Sequence, residues 1–257
     1  MLQSIHFSPF PCKKIIRAYN TPLLEVILMR KNVLFKLVFR GVETLLAIVS
    51  SIIPFFIYNI ASDGGKRSPF LFFTNYSVWL ALVAICLSCV FSLLIYLKKK
   101  ENTPSWVEGV RQAAFIMVFA TFVISAFVLP DKIWTAGYWN FASIFKHFLL
   151  PIFFMFDVIA LSEKHSVKVF YPLTSVVIPL LYWFVVILRF MLARGGNPLP
   201  EAKWDYYYPY GFTNIDNGHS LGGLIGLLAG ILVGLLIVGY ALYFFDKFED
   251  GKLQLKK

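Results

Sequence analysis

Long apolar runs alternate with short polar segments along most of the chain. Six of these runs are each close to the ~20 residues with which an α-helix crosses a bilayer. They cover Val38–Ile60, Phe70–Leu97, Val110–Leu129, Phe141–Leu161, Val169–Leu192 and Leu221–Phe245. Polar breaks, among them residues 63–65 and 98–100, separate the runs. The pattern predicts an all-α, polytopic membrane protein with six transmembrane helices.

The composition indicates the same class of protein. The chain of 257 residues is 58% hydrophobic and 18% aromatic, and only 15% of its residues are charged. Its mean hydropathy is +0.70, far from that of a soluble domain. Cys86 and Cys89 lie three residues apart inside an apolar run, so we predict that they pack as small side chains rather than forming a redox or metal site.

The basic residues sort to one side of the predicted membrane. With a cytoplasmic N-terminus, most of the 24 Lys and Arg residues fall on the cytoplasmic side, which predicts that both termini are cytoplasmic. This placement also accounts for the net charge of +10 without a nucleic-acid partner. We divide the chain into a basic leader at 1–37, with Met29 as a candidate true start, a membrane domain at 38–245 and a charged tail at 246–257.

Two polar residues in different spans are predicted to lie at the same depth. Thr74 is about 7–8 Å along the second span and His147 about 9 Å along the fourth, and both spans run inward. A neutral histidine can activate a hydroxyl nucleophile, so this pair is the candidate catalytic site. The structural alternatives are a Thr74 hydroxyl bonded to its own helix and a His147 that only joins two helices.

Other polar residues could support such a site. Asn75 and Ser77 follow Thr74 on the same helix, and Asp216 and His219 precede the sixth span at the same side. Asp157 lies ~15 Å deeper than His147, where we expect a buried polar contact or a proton-relay role. The spacing of His and acidic residues matches no metal motif, and the candidate chemistry requires no cofactor.

The longest predicted loop, residues 193–220, is rich in aromatic residues. Trp204 and the run Tyr206-Tyr207-Tyr208-Pro209-Tyr210 belong to it. Amphipathic rings favour the headgroup level, so an interfacial belt is one interpretation. The other interpretation is a lid over an outward-facing pocket.

Four glycines in the sixth span recur at intervals of four residues. Gly222, Gly226, Gly230 and Gly234 would lie on one face and form a groove that a neighbouring helix can approach closely. The neighbour is either another helix of the same bundle or the same helix of a second copy, which would make a homodimer.

Three stretches carry a resemblance to a known family. They are Phe70–Ser77, His147-Phe-Leu-Leu-Pro151 and Trp204–Phe212. They resemble the androgen-induced family of six-span membrane threonine hydrolases and the related prokaryotic six-span membrane proteins. The resemblance implies hydrolysis of fatty acid esters of hydroxy fatty acids, with Thr74 as nucleophile and His147 assisting, in a multi-pass protein of the bacterial cell membrane.

The leading hypothesis is therefore a threonine-dependent lipid ester hydrolase whose partners are membrane lipids and an acyl-ester substrate. The alternative is a transporter or a non-catalytic membrane protein. In that case Asp157, His147 and Arg189 would line a polar path through the membrane.

Overall fold

The computed structural model describes residues 32–60, 69–128, 144–163, 166–249 and 252–253. Most of the basic leader, with the candidate start at Met29, and the last four residues lie outside these ranges. The described chain forms α1 Val33–Ile60, α2 Phe73–Tyr96, α3 Ser105–Val123, α4 Leu150–Phe156, α5 Tyr171–Ser175, α6 Val177–Arg194, α7 Trp204–Tyr207 and α8 Leu221–Lys247. Short 3-10 turns occur at Pro69–Leu71, Glu201–Lys203 and Gly211–Thr213, and the two-residue strands β1 Phe248–Glu249 and β2 Lys252–Leu253 pair antiparallel after α8.

Three π-helical turns interrupt the regular helices. Ile124–Val128 continues α3, whereas Phe145–Leu149 and Asp157–Leu161 flank α4. Such turns widen the helix locally and are frequent at functional sites. Each of the three turns here carries a polar residue of a buried cluster described below.

Four helical segments are long and apolar enough to cross a membrane, as far as the described residues show. They are Phe73–Tyr96, Ser105–Phe127, Tyr171–Arg194 and Leu221–Lys247. The prediction of a helical fold is confirmed, and four helices of this length and composition are consistent with the predicted membrane protein. The predicted first span corresponds to α1 and the predicted fourth span to α4 with its π-helical turns, and the count of six spans and the cytoplasmic termini stay predictions.

Helix α3 lies at the centre of the bundle and packs against α2, α4, α5 and α8. Two glycines allow close approaches there. A Cβ atom at Gly109 would lie 3.0 Å from the ring of Tyr171, and one at Gly239 would lie 3.1 Å from Pro172. Small residues at these two points therefore let α3 and α8 come close to α5.

The predicted glycine groove of the sixth span is on a different face of α8. A Cβ atom added at any of its members, Gly222, Gly226, Gly230 or Gly234, meets no described atom within 4 Å. Of the described glycines of α8, Gly239 is the one at which an added Cβ atom would meet another helix. The homodimer through the groove stays a prediction.

Candidate functional site

Thr74 and His147 face the same small cavity, of about 30 Å³. Thr74 stands in the first turn of α2, and His147 stands in the π-helical turn before α4. The cavity is lined by Phe73, Thr74, Thr121, Ile124, Ser125, His147, Trp183, Tyr210 and Phe212. The depth argument from sequence thus paired two residues that the fold brings to one cavity.

The direct partner of His147 is Ser125, which the sequence analysis did not single out. Ser125 Oγ lies 2.6 Å from His147 Nδ1. Ser125 is buried and belongs to the π-helical turn Ile124–Val128 at the end of α3. Two π-helical turns on different helices therefore present a hydroxyl and an imidazole to each other.

The hydroxyl group of Tyr210 joins the loop 195–220 to the first turn of α2. It accepts a hydrogen bond of 3.0 Å from the backbone N–H of Phe73, and it lies close to the side chains of Thr74 and Tyr182. Tyr182 is held in turn by a 2.7 Å bond to the carbonyl of Leu71. Burial raises the pKa of Tyr210, so this hydroxyl stays protonated and able to donate.

The aromatic loop covers the cavity. The rings of Tyr210 and Phe212 are stacked with centroids 5.3 Å apart, and each lies 6.0 Å from the ring of Trp183 on α6. Tyr206, by contrast, is exposed. The loop thus contains both a buried part that lines the cavity and an exposed aromatic part.

Asn75 and Ser77 lie beside the cavity but do not line it. The side-chain oxygen of Asn75 accepts a 3.1 Å hydrogen bond from Lys146, the neighbour of His147 in the chain. Ser77 donates to the carbonyl of Phe73 at 3.0 Å and accepts from Thr121 at 2.8 Å. Both residues therefore position the helices around the cavity.

Asp216 organises the aromatic loop, and it is not among the residues that line the cavity. One oxygen accepts from the backbone of Leu199 at 2.8 Å and from the Tyr208 hydroxyl at 2.7 Å. The other lies 3.0 Å from Arg194. Burial and the bond to the Asp216 carboxylate raise the pKa of Tyr208. His219, which the sequence placed beside Asp216, is exposed.

Asp157 belongs to a second buried cluster. It accepts from Arg40 Nε at 2.9 Å and from Arg111 Nη2. Arg111 also donates to both oxygens of Glu108, at 2.9 and 2.8 Å, and Arg40 donates to Ser92 at 2.7 Å. We call this group, together with the buried Glu43 one turn beyond Arg40, the Asp157 layer. The interpretation of Asp157 as a buried polar contact agrees with these bonds.

An apolar layer separates the Asp157 layer from the cavity. Along α3 it contains Ala114, Met117 and Val118, between Arg111 on one side and Thr121 on the other. Along α4 the fully buried Leu150 and Phe154 stand between His147 and Asp157. Arg189 on α6 donates to the carbonyl of Tyr206 in the aromatic loop at 2.9 Å. The three residues of the predicted polar path therefore sit in separate contacts.

Sequence reasoning missed four residues that complete these clusters: Arg40, Arg111, Ser125 and Tyr210. The first two were counted as basic residues flanking the spans, but the structure buries them within α1 and α3. The depth argument applied to Thr74 and His147 could have found Arg111 opposite Asp157, since each lies within four residues of the inner end of its predicted span. Lys36, Arg40 and Glu43 also recur at helical spacing on one face of α1. No comparable signal marked Ser125, and Tyr210 was named only as one ring of the aromatic loop.

Comparison of the chain with protein-family models, with curated proteins and with solved structures found no match. The relation to the androgen-induced family therefore stays a prediction that rests on the residues quoted above.

Proposed function

We propose that the protein is a membrane-embedded hydrolase of fatty acyl esters, with Thr74 as nucleophile, His147 as general base and Ser125 as the group that orients His147. The observation that supports this proposal is the 2.6 Å contact between Ser125 Oγ and His147 Nδ1 on the wall of the cavity that Thr74 also lines. A hydroxyl nucleophile, a base and a third group that holds the base are the components that nucleophilic catalysis requires.

The tautomer of His147 decides which hydroxyl it can activate. When Nδ1 carries the proton and donates to Ser125 Oγ, the lone pair on Nε2 is the base, and Thr74 is the hydroxyl across the cavity. When Ser125 donates to Nδ1 instead, Ser125 itself is the activated hydroxyl. We assign the first tautomer because it gives a role to both Thr74 and Ser125 and matches the role that the family resemblance implies for Thr74.

The reaction then proceeds in two steps. Thr74 Oγ attacks the ester carbonyl carbon while its proton moves to His147, and the alcohol leaves with that proton to give an acyl-threonine. A water molecule, deprotonated by His147, attacks the acyl-threonine and releases the fatty acid, and Thr74 recovers its proton. The hydroxyl of Tyr210, which lies close to Thr74, is our candidate donor to the developing oxyanion.

The size of the cavity sets a requirement on substrate entry. About 30 Å³ is room for one or two water molecules, which suits the hydrolytic water but excludes an acyl chain. Tyr210 and Phe212 form the wall contributed by the aromatic loop, so the loop must move to admit the substrate. The interpretation of this loop as a lid is therefore part of the proposal.

The test is covalent labelling of the protein in detergent with a fluorophosphonate probe, followed by mapping of the labelled peptide. We expect the label on Thr74 and its loss in Thr74→Ala. We expect a decrease of about 100-fold or more in labelling rate in His147→Ala and a smaller decrease in Ser125→Ala. Ser88→Ala is the matched control, because this buried hydroxyl only donates to Ala84 of its own helix, at 2.7 Å.

The outcomes separate the assignments. A label on Ser125 that depends on His147 would retain the hydrolase and transfer the nucleophile role to Ser125. Absence of labelling in the wild type, or labelling at an unchanged rate in His147→Ala, would remove the hydrolase proposal. Hydrolysis of acyl esters by the wild type, lost in the same variants, is the confirming activity.

A further inference from the structure

Glu43 is a buried carboxyl group that the proposed hydrolase does not use. It lies on α1, is 0% exposed, and neither of its side-chain oxygens has a hydrogen-bond partner among the described residues. Burial of a carboxylate without a partner is costly, whereas the neutral acid is tolerated much better. An unsatisfied buried group of this kind calls for a physical explanation.

The charges around Glu43 balance without it. Arg40 precedes it by three residues on α1, and Arg111 and Glu108 come from α3 and Asp157 from the turn after α4. Two arginines thus face two other carboxylates and are bonded to them. At the edge of the cluster, Lys36 and Glu163 lie 4.0 Å apart and balance each other. An ionised Glu43 would add one uncompensated negative charge to the buried cluster.

A second cavity gives this cluster room for water. It measures about 30 Å³, enough for one or two water molecules. Three atoms that have no hydrogen-bond partner in the described chain belong to residues of its wall: Arg111 Nε, Gln112 Oε1 and Ser162 Oγ. A donor, an acceptor and a hydroxyl around a space of this size are the partners that a buried water needs.

We propose that Glu43 is a proton-binding site, protonated in the resting protein, which exchanges its proton with water through the Asp157 layer. When the proton leaves as hydronium, Glu43 becomes a second anionic partner for Arg40, one helical turn away on α1. Arg40 is then shared between Asp157 and Glu43. Proton release at Glu43 thereby changes the contact that Arg40 makes between α1 and the turn after α4.

Infrared difference spectroscopy of the purified protein at neutral pH tests this proposal, because a protonated carboxylic acid has a carbonyl stretch that a carboxylate lacks. We expect this band in the wild type, a shift of the band in D₂O as the proton exchanges, and its absence in Glu43→Gln. The band should persist in the control Glu163→Gln, which changes the partly exposed acid of the same cluster. In Glu43→Asp, which retains the acid, the band should be present at a different frequency.

Three results would overturn the proposal. They are a wild-type spectrum without a carboxylic acid band, a band unchanged in both Glu43→Gln and Glu43→Asp, and a band that fails to shift after long incubation in D₂O. Glu43→Asp keeps the test valid if Glu43→Gln does not fold. None of these results bears on the hydrolase, because the apolar layer separates Glu43 from His147.

Discussion

Asp157 accepts hydrogen bonds from arginines of two different helices and is fully buried. The attraction within such a group only compensates for the cost of removing its charges from water. Its contribution is therefore best seen when one member is removed. The loss leaves the partner charges buried and uncompensated, which is far more costly than the intact group is favourable.

Asp157→Asn should destabilise the protein by about 3–5 kcal/mol, because Arg40 and Arg111 would lose their shared counter-charge. The control Glu163→Gln should change stability by less than about 1 kcal/mol, since this side chain is 38% exposed and lies 4.0 Å from Lys36. Unfolding by SDS, followed by circular dichroism, measures both. Equal midpoints for the two variants would contradict the role given to Asp157.

Tyr210→Phe should lower the free energy of unfolding by about 1–3 kcal/mol. It removes the hydroxyl that accepts a hydrogen bond from Phe73 N–H and lies close to Thr74 and Tyr182. The same measurement on Tyr206→Phe, at an exposed ring, should show a change within about 0.5 kcal/mol. If the two substitutions cost the same, the Tyr210 hydroxyl does not fasten the loop to α2.

At the scale of the helices, the three π-helical turns are the elements that position the polar groups. They carry Ser125, His147 and Asp157, each turned toward a neighbouring helix rather than toward its own backbone.

Helix α8 shows a second feature at this scale, since its glycines on two faces have different surroundings. A Cβ atom at Gly239 would meet α5, whereas one at Gly222, Gly226, Gly230 or Gly234 would meet no other described element within 4 Å.

Gly239→Leu should therefore destabilise the monomer by about 1–3 kcal/mol through overpacking against Pro172. Gly230→Leu, the matched control on the other face, should leave the stability of the monomer nearly unchanged. Thermal unfolding followed by size-exclusion chromatography compares the two. A similar loss in both variants would contradict the packing of α8, whereas loss of a dimer in Gly230→Leu alone would support the predicted homodimer.

At the scale of the whole molecule, the loops divide between two ends of the bundle. Tyr171 donates to the carbonyl of Ser105 at 2.6 Å, so α3 and α5 begin at the same end, close to the turn at 97–100. Tyr210 reaches the start of α2, which places the aromatic loop at the opposite end. The polar clusters follow the same division, with His147 toward the loop and Asp157 toward the turn.

This arrangement and the distribution of basic residues predict how single cysteines are labelled in a chain whose native cysteines are replaced by alanine. An impermeant maleimide should label Asn197→Cys in intact cells and label Lys99→Cys only after permeabilisation. Glu201→Cys is the control for Asn197→Cys at the end of the aromatic loop, and Lys168→Cys is the control for Lys99→Cys at the opposite end. The reverse pattern would overturn the predicted orientation, and labelling of both ends from one side would contradict the fold.

The sequence by itself determined the class of the protein and the existence of its main helices. Apolar runs of membrane length have one stable form in lipid, since only a helix satisfies its own backbone hydrogen bonds there. Depth along a helix follows from its fixed rise of ~1.5 Å per residue. For this reason Thr74 and His147 could be paired before their shared cavity was known.

Only the tertiary structure decided which residues meet at each depth. Ser125 and Tyr210 reach the cavity because helices rotate to bury particular faces and a loop folds back over the bundle. The hydropathy of the sequence predicts neither the rotation of the helices nor the position of the loop. The partners of Asp157 are 117 and 46 residues away along the chain. Local sequence fixes the position of a residue along its own helix, but the identity of its neighbour depends on the packing of all helices together.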